Sequence, residues 1–413
     1  MATKRQQTTT RARLRQLAPR KKAAWAAIIV LTPMLILGAI LLFRKAGSGS
    51  FEITDKLGGN IFPSAIISTA TTDAQIVKPS GGLYVGNPKS IIAIRLRADH
   101  KNSSVRIELA QTPFYARSVS EFVLPEAGKE YTVYPDILWN YDALRQNSQA
   151  EPISVVADVE LNGRNLGQRV RTFSVRSINE CMIGYVERLP NGRTRCVSTK
   201  QLFAAYVNED NKDIDKLLRE ALNSRIVRRF QGYQNLTATS VDKQVYALWY
   251  VLQKRHFSYS SISTSSMSSN VVYSQRVRTF DDALSASQIN CVDGSVLFAS
   301  LLRAINITPV LVLVPGHMFV GYYQDNKNKK PAFIETTMIG DVDLDEYFPE
   351  EKLDSISTRL TQSEASRLAF EKSKEYAMRN FRRHEANIKA GKPGYMMFEI
   401  SKNVRRQIQP IGL

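Results

Sequence analysis

The chain has 413 residues, 43% of them hydrophobic and 23% charged, an ordinary globular composition with length enough for two or three domains. A formal charge of +18 would suit a nucleic-acid binder, but residues 1–45 carry ten Lys/Arg and no acid, leaving only +8 over the other 368. The excess flanks one apolar segment, so nucleic acid is excluded as the partner that the charge implies.

That segment, Ala23–Phe43, has 21 residues without a charge. At about 1.5 Å per residue it would span roughly 30 Å of hydrocarbon. Trp25 sits at one end as an interfacial anchor, and eight positive charges precede the run while two follow it. Arg44 and Lys45 stand where a signal peptidase would need small residues, which favours an uncleaved anchor over a cleavable signal. The pattern predicts a basic cytoplasmic tail over 1–22, a transmembrane helix over 23–43 and a linker over 44–80. The protein would then be a single-pass protein of the inner (plasma) membrane with a cytoplasmic N-terminus. Its main domains would be extracytoplasmic, and periplasmic in a Gram-negative cell.

From Gly81 the period becomes two. SIIAIRLRA, VRIELAQ, KEYTVYP, ISVVADVEL and RVRTFSV alternate apolar and polar residues between turn clusters. Short alternating strands of this kind predict an antiparallel β-sandwich of immunoglobulin-like size over 81–178, with no catalytic constellation in it. Cys181 and Cys196 then bracket an Asn191-Gly192 turn. A hairpin would make them a disulfide candidate, and two unpaired thiols is the alternative.

From Lys200 the period lengthens to that of helices, over 201–207, 214–226 and 242–256. A polar loop at 258–270, with eight serines, reads as a solvated loop or as a mobile rim over a cleft. QINCVDGSVLFASLL follows. Asn290 is a good N-cap, and Cys291 becomes the first residue of a helix running to about Ile305 that is apolar on most faces and therefore central. A thiol there feels the positive end of the helix dipole, which favours thiolate. PVLVLV, HMFVGYY and PAFIETT then read as three strands, with His317 opening the second and Glu335 near the end of the third. Adjacent strands lie about 4.8 Å apart, so the carboxylate can reach the imidazole, and the imidazole can take the thiol proton. Nucleophile, base and orienter are the parts that thiol catalysis needs.

At these residues the chain resembles the transglutaminase-like superfamily, relatives of papain-like cysteine hydrolases. Cys291-Val292-Asp293 matches its Cys-x-Asp, SLLRAINITPVLVLVPG its helix-turn-strand, and His317-Met318-Phe319-Val320 its histidine strand. Glu335-Thr336-Thr337 stands where Asp-Pro-Thr is the pattern, so the acid is one methylene longer here. The match covers roughly 240–345. It implies Cys291 as nucleophile, His317 as general base and then acid, and Glu335 as the residue holding the ring. It also implies an oxyanion hole from the Cys291 amide and an upstream polar group, with Gln288 and Asn290 as candidates. Asp293 would cap or brace the helix start.

His100, His256 and His384 read as turn or helix-end residues, no cluster has zinc-finger spacing, and no phosphate loop appears. The acidic run GDVDLDEYFPEE matches no calcium-binding loop and reads as a solvated face, so neither metal nor cofactor is expected. A long helix from about Ser363 to Ala390, then a short strand and helix, would form a C-terminal extension over 363–413. The expected class is thus α+β: one transmembrane helix, an Ig-like sandwich, and a transglutaminase/papain-like domain over 179–362. The implied activity is thiol-dependent hydrolysis or acyl transfer at peptide or amide bonds, on protein or peptide of the cell envelope. The alternative is an inactive envelope binding module.

Overall fold

Residues with alternating polarity build the first half of the chain, and continuous apolar runs build the second. The computed structural model describes residues 50–412 apart from 80–81, 190, 235–236, 261–268, 328 and 341. The first half holds β1 (Phe51–Thr54), β2 (Asn60–Ile61), α1 (Pro63–Thr69), β3 (Leu83–Gly86), β4 (Ala93–Arg97), β5 (Ser103–Leu109), β6 (Tyr115–Ala116) and β7 (Ser118–Leu124). It continues through β8 (Glu130–Tyr134), β9 (Leu138–Trp139), α2 (Tyr141–Gln146), β10 (Glu151–Leu161) and β11 (Arg164–Val175). One sheet has the order β1-β4-β8-β3 and a second β2-β11-β10-β5-β7. Alternation sends Ile94, Leu96, Tyr131 and Val133 from the first sheet, and Val105, Ile107, Val155 and Val159 from the second, into one buried core.

Two expectations change here. The sheets are mixed rather than antiparallel, because β3 pairs with β8 and β2 with β11 in parallel. The described part of the presumed linker, from Phe51, is built into this unit: β1 and β2 each join a sheet, and every residue of α1 is buried. Their short apolar pairs gave no period long enough to read.

The second half holds β12 (Glu180–Arg188), β13 (Thr194–Ser198), α3 (Ile214–Asn223), α4 (Ala238–Gln253), β14 (Ser258–Tyr259), β15 (Val272–Arg276), α5 (Phe280–Ser285), β16 (Gln288–Ile289) and α6 (Cys291–Ala304). After it come β17 (Pro309–Val314), β18 (His317–Tyr323), β19 (Pro331–Ile334), α7 (Leu344–Tyr347), α8 (Leu353–Ser357), α9 (Gln362–Lys389), β20 (Met396–Glu399) and α10 (Lys402–Gln407). The central sheet is β19-β18-β17-β20. Its strands are buried on both faces. Leu311, Met318, Val320 and Ile334 share the main core with α6, while Val310, Val312, Phe319 and Phe333 pack with Ala377, Met378 and Phe381 of α9. The C-terminal segment is therefore part of this layer structure: α9 covers one face of the sheet and β20 completes its edge.

The class is mixed α+β, and the membrane part of the expected class is corrected. Among the described residues no helix is long and apolar enough to cross a membrane. α4 and α6 are apolar but have 16 and 14 residues, about 24 and 21 Å. α9 has 28 residues but carries charge in nearly every turn. The segment 23–43 lies outside the described residues. The single-pass inner-membrane placement, with its cytoplasmic N-terminus and periplasmic domains, is withdrawn on this finding.

The disulfide candidate is also corrected. All three cysteines are free. β12 and β13 do form a hairpin, but Cys196 lies opposite Val186, five residues along the strand from Cys181. At about 3.3 Å per residue that separation is far beyond disulfide reach. Cys181 is buried and Cys196 exposed.

An ion network with little solvent exposure ties the C-terminal segment to α6. Glu209 accepts from Arg303 at the end of α6 (2.7 Å) and from Arg405 of α10 (2.7 Å). Arg405 also donates to the Ala204 carbonyl (2.7 Å), and Arg303 to the Ile400 carbonyl (3.1 Å). Arg405→Ala would leave buried carbonyls and part of a buried carboxylate unpaired, so it should cost about 3 kcal/mol in urea denaturation. A loss near zero would mean that the tail is not held this way.

Candidate active site

Asn290 begins the site. Its extended backbone and short amide suit an N-cap, and its Oδ1 accepts from the amides of Val292 and Asp293 (both 2.8 Å). Asp293 returns the bond to the Asn290 amide and completes a capping box. The Asp293 carboxylate has essentially no exposure, so it needs further partners: it accepts from the Arg278 amide (2.8 Å) and pairs with the Arg278 guanidinium. The residue expected to brace the helix start therefore does so, with Arg278 as a partner that sequence spacing did not reveal.

This cap fixes Cys291, partly buried, at the first helical position. The Cys291 amide is the first-turn N–H that the Asn290 side chain does not take. Close approach at Gly294 sets how near the helix comes to the strand ends. A Cβ there would lie 2.9 Å from Thr336 Oγ1. Thr336 Oγ1 in turn contacts the Cys291 carbonyl (3.4 Å) and Ser295 Oγ (3.3 Å).

β17 and β18 form a tight hairpin in which Val314 faces His317 across Pro315-Gly316, and Gly316 takes φ +75°. His317 therefore stands at the end of the sheet beside the helix start. Extending the β18–β19 register puts Glu335 beside Phe319, on the same face as His317 and diagonal to it. His317 Nε2 meets Glu335 Oε2 at 2.7 Å, and the Cys291 thiol lies near enough to the ring to influence its protonation. The imidazole side chain is 23% exposed and the Glu335 carboxylate 0%. Burial alone would pull the His317 pKa down. Its hydrogen bonds to Cys291 and Glu335, and their charges, outweigh that and raise it to about 10. The arrangement keeps the His317 ring protonated beside the Cys291 thiol, with the acid fixing the ring.

The second Glu335 oxygen, Oε1, accepts from the Thr337 amide (3.2 Å) and hydroxyl (2.9 Å). Thr337 Oγ1 accepts from the Tyr347 hydroxyl (3.0 Å). The structure thus brings Cys291, His317 and Glu335 together and adds Thr337 and Tyr347 behind them.

Both side-chain candidates for the oxyanion hole precede the helix start. The Asn290 side-chain oxygen is committed to the cap, so its Nδ2 is the group that could donate. Gln288 is exposed on β16, where it pairs with Ser258. Tyr259, which sequence reasoning left inside the serine-rich loop, stands on β14, the strand beside β16. It pairs with Ile289, and Ser260 donates to the Ile289 carbonyl (3.0 Å). Burial raises the pKa of its phenol, as do the nearby charges of Cys291 and Glu335, so it remains a hydrogen-bond donor within their electrostatic reach. Gly340 permits this layout: at φ +119° its Cβ would lie 2.0 Å from the Phe257 carbonyl oxygen. An aromatic residue opening a serine run upstream of the cysteine was the available signal. The rest of that loop, 261–268, lies outside the described residues.

In the acidic run, Asp343 and Asp345 gather with Asp354, their carboxylates within 4.8 Å of one another. They cap backbone: Asp354 accepts from the Leu344 amide, Asp343 from that of Asp345, and Asp345 from that of Asp354. Asp341 lies outside the described residues.

Compared with family models and with curated proteins, the chain matches none. The resemblance to the transglutaminase-like superfamily thus rests on the residues themselves.

The raised His317 pKa has a signed consequence. The folded site favours the protonated ring, so its stabilisation is complete below the unfolded value of about 6.5 and is lost as pH rises toward about 10. At about 1.4 kcal/mol per unit, the stability difference between the protein and its His317→Gln variant should shrink by a few kcal/mol over that window. Denaturant titrations across the range test this, and a flat difference contradicts it.

Proposed function

We propose that this protein is a thiol-dependent enzyme of transglutaminase-like type, acting on peptide or amide carbonyls by hydrolysis or acyl transfer. The observation that carries the reading is the grouping of Cys291, His317 and Glu335, with a partly buried thiol near the ring, an imidazole bonded to the acid at 2.7 Å, and a carboxylate fully withdrawn from water. A charged imidazole inside that set is what a thiol nucleophile requires and what inert packing does not.

In the first half-reaction the Cys291 thiolate attacks the carbonyl carbon and a C–S bond forms. The carbonyl oxygen takes the negative charge and faces the Cys291 amide. His317 gives its proton to the leaving nitrogen, the C–N bond breaks, and an amine departs. In the second, His317 takes a proton from water or an incoming amine, whose oxygen or nitrogen attacks the thioester. The C–S bond breaks and the thiolate returns. Glu335 keeps Nε2 occupied throughout, so that Nδ1 faces the reacting atoms. Protein or peptide is the substrate class that this chemistry implies.

The test is to incubate the full chain with a mixture of glutamine-containing peptides and hydroxylamine, reading cleaved products and hydroxamates by mass spectrometry. Product should form with the protein and fall by a factor of about a thousand or more in Cys291→Ala and His317→Ala. No product, or equal product in Cys291→Ala, would contradict an enzyme and leave a binding module.

A further inference from the structure

The acid of this site is a glutamate. Compared with an aspartate it has one more rotatable bond, so its carboxylate has more ways to miss the imidazole and more entropy to lose when held. The structure supplies restraints. Oε2 is taken by His317 at 2.7 Å, and Oε1 by the Thr337 amide at 3.2 Å and the Thr337 hydroxyl at 2.9 Å. Thr337 has a single hydroxyl proton. Having given it to Glu335, its oxygen can only accept, and the donor it accepts from is the Tyr347 hydroxyl at 3.0 Å. The direction of every proton in the chain Tyr347–Thr337–Glu335–His317 is therefore fixed.

The outer end is fixed as well. Tyr347 ends α7, and its ring stands edge-on to Tyr376 of α9, with centroids 5.1 Å apart at 84°. The same helix α9 accepts from the Glu335 amide through the Ser373 carbonyl (3.4 Å). Backbone and side chain of Glu335 are thus referenced to one rigid element. We propose that Thr337 and Tyr347 are positioning residues of the active site. Through Glu335 they hold His317 at the angle that activates Cys291, and the seating of α7 against α9 thereby governs thiol reactivity. Burial raises the Tyr347 pKa to about 12, against the lowering effect of the Thr337 hydrogen bond, so the phenol stays a donor over the working range of pH.

This inference rests on the thiol-enzyme reading, and one experiment separates the two. The full chain carries Cys196→Ser as background, because Cys196 is exposed whereas Cys181 is buried. Iodoacetamide alkylation of Cys291 is followed by peptide mass spectrometry from about pH 6.5 to about pH 10, the window of the His317 titration. Thr337→Val should slow alkylation about tenfold at the low end, as loss of one hydrogen bond to a charged group implies, and Tyr347→Phe about threefold. Both rates should converge on the parent at the high end, and Thr337→Ser should restore the parent profile. A merely structural role would not confine the defect to low pH. Tyr347→Phe keeps the ring on Tyr376, so it remains informative if Thr337→Val fails to fold. Parent-like profiles in Thr337→Val and Tyr347→Phe, beside a slow His317→Ala, would overturn the positioning role and spare the enzyme. A parent-like His317→Ala would overturn both.

Discussion

A carboxylate with no solvent exposure must find every partner inside the protein, and Glu335 sets that condition for the whole second half of the chain. Its partners come from three directions: His317 on the neighbouring strand, Thr337 two residues on, and α9 through the backbone. Loss of His317 or Thr337 would leave part of the buried carboxylate unpaired, and loss of the α9 contact would free a backbone amide. The sheet register places Glu335 near His317, and the close approach of α6 at Gly294 places the helix start against Thr336, the next residue. With the acid satisfied, the imidazole ring is held in one orientation beside the start of α6.

Much of the site was legible because it is local. Asn290 is an N-cap by chemistry, and the helix begins where the cap says. The apolar runs 309–314 and 317–323 read as buried strands because both their faces are covered. The cysteine, histidine and acid could be ordered from those elements alone. What could not be read depends on contacts distant in sequence. Arg278 reaches Asp293 from a separate strand end, Tyr347 reaches Thr337 from a four-residue helix, and Tyr259 pairs with Ile289 through a two-residue strand. Elements that short have no period. The long helix was expected to start from Ser363 and in fact caps at Thr361, where Glu364 completes a capping box. Its role as one wall of the central sheet was invisible because its apolar residues are sparse.

The two halves of the chain are also less separate than the change of period suggested. Their buried residues form one continuous core, and the C-terminal residues return to the first half, where the Gln409 amide donates to the Ser68 carbonyl (2.8 Å). Arg405 closes this path on Glu209 and Arg303, at the far end of the helix that begins with Cys291. The helix is thus fixed at both ends, by a cap and a buried carboxylate at the thiol end and by an ion network at the other. A helix held at both ends keeps Cys291 registered against strands that belong to a different layer.

The central claim is that Cys291 and His317 act as one activated pair. The most direct measurement is the pH dependence of Cys291 alkylation in the full chain, with and without His317→Ala. The account predicts alkylation that persists well below the free-thiol value of about 8.5 and retreats to higher pH when the imidazole is removed. A thiol that is inert, or one whose profile is the same with and without His317, would contradict it.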